Sequence, residues 1–260
     1  MYFKKIKKNL HYIFNCLITF LILPFILILY FIRGIVFVRF FKIPTKRIGH
    51  YIHNMNIYLN QKKNSKKIFF DFFSTDTIVS NEYFTYFLKQ KINFLPLKLN
   101  QLFIKNLLLV SKINNKFEDH LIKINEYNFD EIDEKKIFFK NSNTNNQIGK
   151  EFLEKNGINL DKDKYVCLCV RDNAYLNQYG DKNKDYSYHN FRDQNLNNFY
   201  SVSNFLGNQG YHTIRMGKIT DKLFENKNKT IDYANSKDRS DNLDFFLFEN
   251  CDFIISTCTG

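Results

Sequence analysis

Residues 165–170 read YVCLCV, and this short unbroken apolar run constrains the fold more than any other feature of the chain. A half-buried strand would alternate apolar with polar residues, so an unbroken run of this length and composition predicts a strand covered on both faces. The residues that follow keep alternating. Asn195 to Gly210 carries Leu196, Phe199, Val202 and Leu206 at helical spacing and stops at a glycine. Tyr211 to Gly217 is a second strand and Thr230 to Ala234 a shorter third. Ser240 to Cys251 opens with capping residues, turns Leu243, Phe246 and Leu247 inward and feeds a fourth strand in DFIISTCTG. This order predicts βαβ units, a parallel sheet and an α/β fold.

The first half carries the same alternation less clearly. KKIFFDFF (Lys66 to Phe73) is a buried-strand candidate, and Asn81 is placed to cap a helix carrying Phe84, Phe87 and Leu88, with Pro96 beyond its end. The polar, Asn-rich stretch from Phe117 to Lys150 predicts an interdomain linker. The expected organisation is a membrane anchor with basic flanks over 1–44, an N-terminal α/β domain with its linker over 45–150, and a C-terminal α/β domain over 151–260.

From Tyr12 to Ile32 the chain runs 21 residues without a charge, which at about 1.5 Å per residue is a helix able to span a bilayer. A buried core helix and a cleaved signal peptide are the competing readings, the latter opposed by Arg33 and the lack of a small-residue cleavage site. Basic residues flank the run on both sides, so the positive-inside rule favours neither orientation. Pro24, near its middle, can kink a helix, and a re-entrant or in-plane hairpin would leave both flanks on the anionic cytoplasmic leaflet. The whole chain has a net charge of +12, yet thirteen Lys and Arg and no acid precede Asp71, leaving 25 basic residues against 26 acidic ones in the rest. That distribution points to a membrane surface and away from nucleic acid. The five cysteines form no zinc spacing or disulfide framework and fit a reducing compartment.

Ligands of parallel sheets bind at the carboxyl ends of the strands, and that is where the unusual polar residues fall. Arg171 and Asp172 follow the first C-terminal strand, Arg215 and Gly217 end the second, Asp232 lies in the third, and Thr257, Thr259 and Gly260 end the fourth. Hydroxyls, glycine amides and an arginine fork together suit a phosphate; solvated loops or caps are the alternative for each. His50, beside Gly49 and after a predicted first strand, is the candidate general base facing an interdomain cleft. Tyr188, His189 and Arg192 form a candidate substrate loop. Neither G-x-G-x-x-G nor Walker A, zinc pairing, nucleophile elbow or D-x-D is present, Asp161 and Asp163 excepted as a solvated pair.

VRDNAYL (Val170 to Leu176), DYSYHNFRD (Asp185 to Asp193), GYHTIRMGK (Gly210 to Lys218), IDYANSKDRSDNLD (Ile231 to Asp244) and CDFIISTCTG (Cys251 to Gly260) together resemble a family of bacterial glycosyltransferases. That family is similar to the two-domain GT-B class and is associated with surface polysaccharide synthesis. RIGHYIHNMNIYLN (Arg47 to Asn60) resembles its first strand and turn, so the likeness covers roughly Arg47 to Gly260. It implies two Rossmann-like domains behind the membrane segment, with the nucleotide sugar held by the C-terminal one as co-substrate, and no metal or further cofactor. It implies donor contacts at Arg171, Arg215, Gly217, Thr257, Thr259 and Gly260, the Arg239 to Asp244 segment as their neighbour, and His50 as the base. The expected activity is sugar transfer to a polysaccharide or lipid-linked acceptor at the cytoplasmic face of a bacterial inner membrane. The likeness also implies elements beyond Gly260, so the second domain is expected to be incomplete. A non-catalytic membrane-anchored scaffold or inactive remnant is the alternative, and a pyruvyl or phosphosugar transferase shares the same anion-binding logic.

Overall fold

The computed structural model describes residues 20–64, 68–124, 139, 141–225 and 228–257. The chain is α/β with two parallel sheets. It divides into two compact units, one of residues 1–80 and 85–138, the other of residues 81–84 and 139–260.

In the first unit a helix, α1, runs through the described residues 20–32. It is followed by β1 (Phe37–Lys42), α2 (Ile48–Asn64), β2 (Phe69–Ser74), α3 (Glu82–Lys89, whose residues from 85 on belong to this unit), β3 (Asn93–Phe94) and α4 (Leu97–Ser111). The sheet order is β1-β2-β3. On the free side of β1, Phe40 forms an isolated parallel bridge with Leu121. The sheet is covered on both faces. Phe40, Val38 and Phe72 meet Ile26 of α1 and Leu107 of α4 on one side, while Tyr58 of α2 lies edge-on against Phe73 at 4.7 Å on the other.

Of the uncharged N-terminal run, residues 20–32 are described, and one face of that helix packs on the sheet. Tyr12 lies outside the described residues. Within them, Ile26 is fully buried and Ile22, Leu29 and Tyr30 pack beside it, a spacing of three and four that defines one helical face. The opposite face leaves Phe20, Leu21, Phe25, Ile28 and Phe31 more than half exposed, with Pro24 exposed and Ile32 half-buried. Among the described residues no helix is long and apolar enough to cross a membrane.

Two further expectations change. The stretch Arg47 to Asn60, read as strand and turn, is mostly α2, because Tyr51, Met55 and Tyr58 recur at helical spacing and are all buried. The expected linker is structured at both ends. Phe117 and His120 are buried on a 3₁₀ turn, and Asn143–Lys155 is a helix, α5, capped by the Ser142 side chain. Its middle lies outside the described residues.

The second unit contains α5, β4 (Lys164–Cys169), α6 (Ala174–Tyr179), α7 (Tyr200–Asn208), β5 (Tyr211–Arg215), β6 (Thr230–Ile231), α8 (Asp241–Asn250) and β7 (Phe253–Ser256). Its parallel sheet has the order β6-β5-β4-β7. The predicted strand at its centre does face two cores. Tyr165 and Cys167 join Phe152, Leu153, Leu243, Phe246 and Leu247 on one side, whereas Leu168 and Val170 join Leu196 and Phe224 on the other. The first side is tight: a Cβ on Gly149 of α5 would fall 2.1 Å from the Phe246 ring of α8. Gly210, with φ of +92°, takes the left-handed conformation that ends α7 and is costly for any residue with a Cβ. The third predicted strand shortens to two residues, so Asp232 lies just past its end. Asn81 caps α3 as expected, its Oδ1 accepting the Phe84 amide at 2.8 Å.

Candidate functional site

Four parallel strands of the second unit end on one edge of the sheet, and β4, the first of them in the chain, lies between β5 and β7, the second and the last. Strand order reverses there, and such a switch point leaves a crevice outside the carboxyl ends of the two strands that flank it. Thr257 and Arg171 meet across it. The Arg171 amide donates to Thr257 Oγ1 at 2.9 Å, and the Thr257 amide donates to the Cys169 carbonyl at 3.0 Å.

The Arg171 side chain turns to the following loop, where Nε lies 3.0 Å from Asp193 Oδ1. Gln194 N also donates to the Arg171 carbonyl at 3.1 Å. This ties the predicted substrate loop to the strand edge. On that loop Tyr188 is 66% exposed and His189 buried, with ring centroids 3.9 Å apart, while Arg192 lies beside the Phe191 ring.

Arg215 takes a different place from the one its sequence position suggests. Its side chain is 2% exposed, and its guanidinium donates to the Lys222 carbonyl. Nη2 lies 3.8 Å from Asp172 Oδ2 and Nη1 3.6 Å from Asp232 Oδ1. The two carboxylates continue the arrangement: Asp172 Oδ2 accepts the Asp221 amide at 2.9 Å and Asp232 Oδ2 the Phe224 amide at 2.8 Å. Arg215 is thus the buried cation that fixes the loop after β5 to the strand ends. Gly217 opens that loop, and a Cβ there would stand 2.8 Å from Thr220 Cγ2.

Arg239 and Asp244 form a second cluster at the start of α8. Arg239 donates to Asp244 and forms an ion pair with Asp241, Nη1 lying 2.8 Å from Oδ1. Tyr233 donates its hydroxyl to Asp244 Oδ1 at 2.8 Å and accepts the Ser240 amide at 3.0 Å. Burial pushes the Asp244 carboxyl up despite the pull of Arg239, and burial likewise raises the Tyr233 phenol. Lys218 approaches Asp241 at 3.4 Å.

His50 does not follow a strand directly. It is exposed in the first turn of α2, the helix that follows β1, and so belongs to the carboxyl-edge side of the first sheet. Thr259 and Gly260 lie outside the described residues. The sequence reading missed Asp193 and the Lys222 carbonyl as partners of the two arginines; each is brought in by chain folding over 22 and 7 residues with no local signal. Among the described residues no group of three or more His, Cys, Asp or Glu is placed to hold a metal ion.

No protein-family model matches the chain, and comparison with curated proteins and with solved structures gave no match.

Proposed function

We propose that the chain is a membrane-associated, metal-independent glycosyltransferase of GT-B type, whose two units are Rossmann-like and whose second unit holds a nucleotide-sugar donor at the carboxyl edge of its sheet. One observation carries the reading: the β6-β5-β4-β7 order places its switch point where Thr257 meets the Arg171 amide. In this role Arg171, Gly217 and Thr257 contact the donor diphosphate or ribose. Arg215 is a positioning residue that holds the loop after β5, and the Arg239–Asp244 pair stiffens the start of α8. His50 deprotonates an acceptor hydroxyl of a glycan or lipid-linked glycan. The exposed apolar face of α1, beside the acid-free basic N-terminal region, lies in the plane of the cytoplasmic leaflet of a bacterial membrane, where Phe and Leu enter the acyl boundary and Lys and Arg meet anionic lipid.

The test is a donor panel. The full chain on anionic vesicles is titrated with uridine, guanosine, adenosine and cytidine sugar nucleotides, and sugar transfer to an added membrane-lipid extract is followed. Selective binding of one nucleotide class, weakened about tenfold by Arg171→Ala, supports the reading; tenfold corresponds to about 1.4 kcal/mol. The mutual pairing of Arg215 with Asp172 and Asp232 favours a second reading, a membrane-bound scaffold with no donor. Absence of binding across the panel selects it.

A further inference from the structure

Three cysteines converge on the inner face of the second sheet. Cys167 and Cys169 lie two apart on β4 and share one face, and Cys251 follows the last residue of α8. Their thiols are free; Cys167 is buried and Cys251 half-exposed. Cys167 Sγ donates to the Leu247 carbonyl at 3.5 Å and Cys251 Sγ to the Phe248 carbonyl at 3.3 Å. Both sulfurs therefore reach the final turn of α8, on consecutive carbonyls. The donor site makes no use of them.

We propose that Cys251 and Cys167 form a redox pair that hydroperoxides oxidise to an intramolecular disulfide, with Cys251 attacking and Cys167 resolving. The neighbouring Cys167 side chain, aided by the backbone of Cys167 and Cys251, holds the Cys251 thiol down at about 7 against the effect of burial. A thiol with this acidity is substantially thiolate at neutral pH and keeps good nucleophilicity. The neighbouring Cys251 side chain, and burial, push the Cys167 thiol well up. Cys169, pushed up to about 12 by burial, stays a thiol.

The thiolate of Cys251 attacks one peroxide oxygen. An S–O bond forms, the O–O bond breaks, the departing oxygen leaves as hydroxide and takes a proton from water, and the sulfur is oxidised by two electrons to a sulfenic acid. Cys167 sulfur then attacks Cys251 sulfur. The S–S bond forms, the S–O bond breaks, and the hydroxyl leaves as water with the Cys167 proton. Because Cys167 is held protonated, this second step is the slower one, and its product ties the end of α8 to the central strand.

The full chain is treated with stoichiometric hydrogen peroxide, alkylated after denaturation and mapped by mass spectrometry with and without reduction. The expected result is a Cys167–Cys251 linked peptide that a dithiol reducing agent removes, and a rate of Cys251 loss that rises with pH through about 7. Cys251→Ser abolishes the link and Cys169→Ser retains it. The wild-type map decides even where a variant folds poorly. The proposal is overturned if Cys251 stops at sulfenic or sulfinic acid while Cys167 remains alkylatable, or if the linked partner is Cys16, Cys169 or Cys258.

Discussion

The two units arrange their strands alike and place their charges differently. In each, the first strand is flanked by the second on one side and by the last extended residues on the other, Leu121 in the first unit and β7 in the second. In the first unit the charges lie inside the sheet. Arg39 and Asp71 stand directly opposite on β1 and β2, joined through Nε–Oδ1 at 2.7 Å and Nη2–Oδ2 at 2.8 Å. Tyr58 donates to the same carboxylate at 2.7 Å, and Arg39 covers the Phe69 ring at 3.6 Å. The carboxyl edge of that sheet is filled mainly by neutral groups, with Asn100 donating to the Phe41 carbonyl and to Ser74 Oγ, both at 2.8 Å. In the second unit the sheet interior is apolar and Arg171, Asp172, Arg215 and Asp232 occupy the edge. One topology serves both, so it is the position of the charge that separates a structural network from a candidate ligand site.

The largest effect is expected where the charge is structural. Asp71→Ala leaves Arg39 and Tyr58 facing an empty site in the sheet, and removing one partner of a buried pair costs about 3–5 kcal/mol. Denaturant titration should find the first unit unfolded or nearly so, while Arg39→Met with Asp71→Leu restores much of the loss. A cost under about 1 kcal/mol for Asp71→Ala, the range of a surface pair, would erase the distinction drawn between the units.

Arg215→Ala tests the other side. Asp172 and Asp232 then lose the cation between them and the loop after β5 loosens; if the edge binds a nucleotide sugar as proposed, affinity for it falls by about tenfold, or about 1.4 kcal/mol. Arg215→Lys keeps the charge without the fork and should recover only part. Equal affinity in all three proteins would remove Arg215 from the site.

Much of the second unit was legible because its signals are local. YVCLCV is one continuous run, Gly210 is a local stop, and Leu243, Phe246 and Leu247 repeat along one helix. The first unit hid more. A run as uniformly apolar as residues 20–32 has no contrast to reveal that Ile22, Ile26 and Leu29 face a core while Phe25 and Phe31 do not. The resemblance of Arg47 to Asn60 implied a strand and turn, and the helical recurrence of Tyr51, Met55 and Tyr58 was masked by polar neighbours. The role of Arg215 was hidden for another reason: its carboxylate partners are 43 and 17 residues away in the chain, and only the fold brings them together. Strand ends located the candidate site; which arginine turned to the loop of Asp193 and which was enclosed by Asp172 and Asp232 could not be read from strand order.

A smaller effect sharpens the edge itself. Thr257→Val removes the acceptor for the Arg171 amide, and loss of one such hydrogen bond costs about 0.5–1.5 kcal/mol. The melting temperature should fall modestly, and the donor affinity should fall with it if the switch point binds nucleotide.

The smallest difference concerns protons. His120 is fully buried in the first unit, its Nδ1–H donating to the Val38 carbonyl at 2.6 Å and its ring stacked on Phe37 at 5.1 Å. Burial holds this imidazole below its ordinary value, with Arg33 adding to the effect and Val38 and Asp119 opposing it. The unfolded chain therefore takes up the proton first: the stabilisation is complete above an unfolded value of about 6.5 and is lost as the pH falls through 6.5 toward the folded value. Asp244 in the second unit has the opposite sign, because a carboxyl raised by burial contributes most below its unfolded value and loses that contribution as the pH rises through the folded one. His212, also lowered by burial and by Lys229, sits half-buried on β5 and joins no such stack. Between pH 7.5 and 5.5, unfolding curves of the wild type should move toward lower stability, and His120→Gln should flatten that movement more than His212→Gln. Parallel curves for the wild type and His120→Gln would show that the first unit carries no proton-linked strut at the free edge of β1.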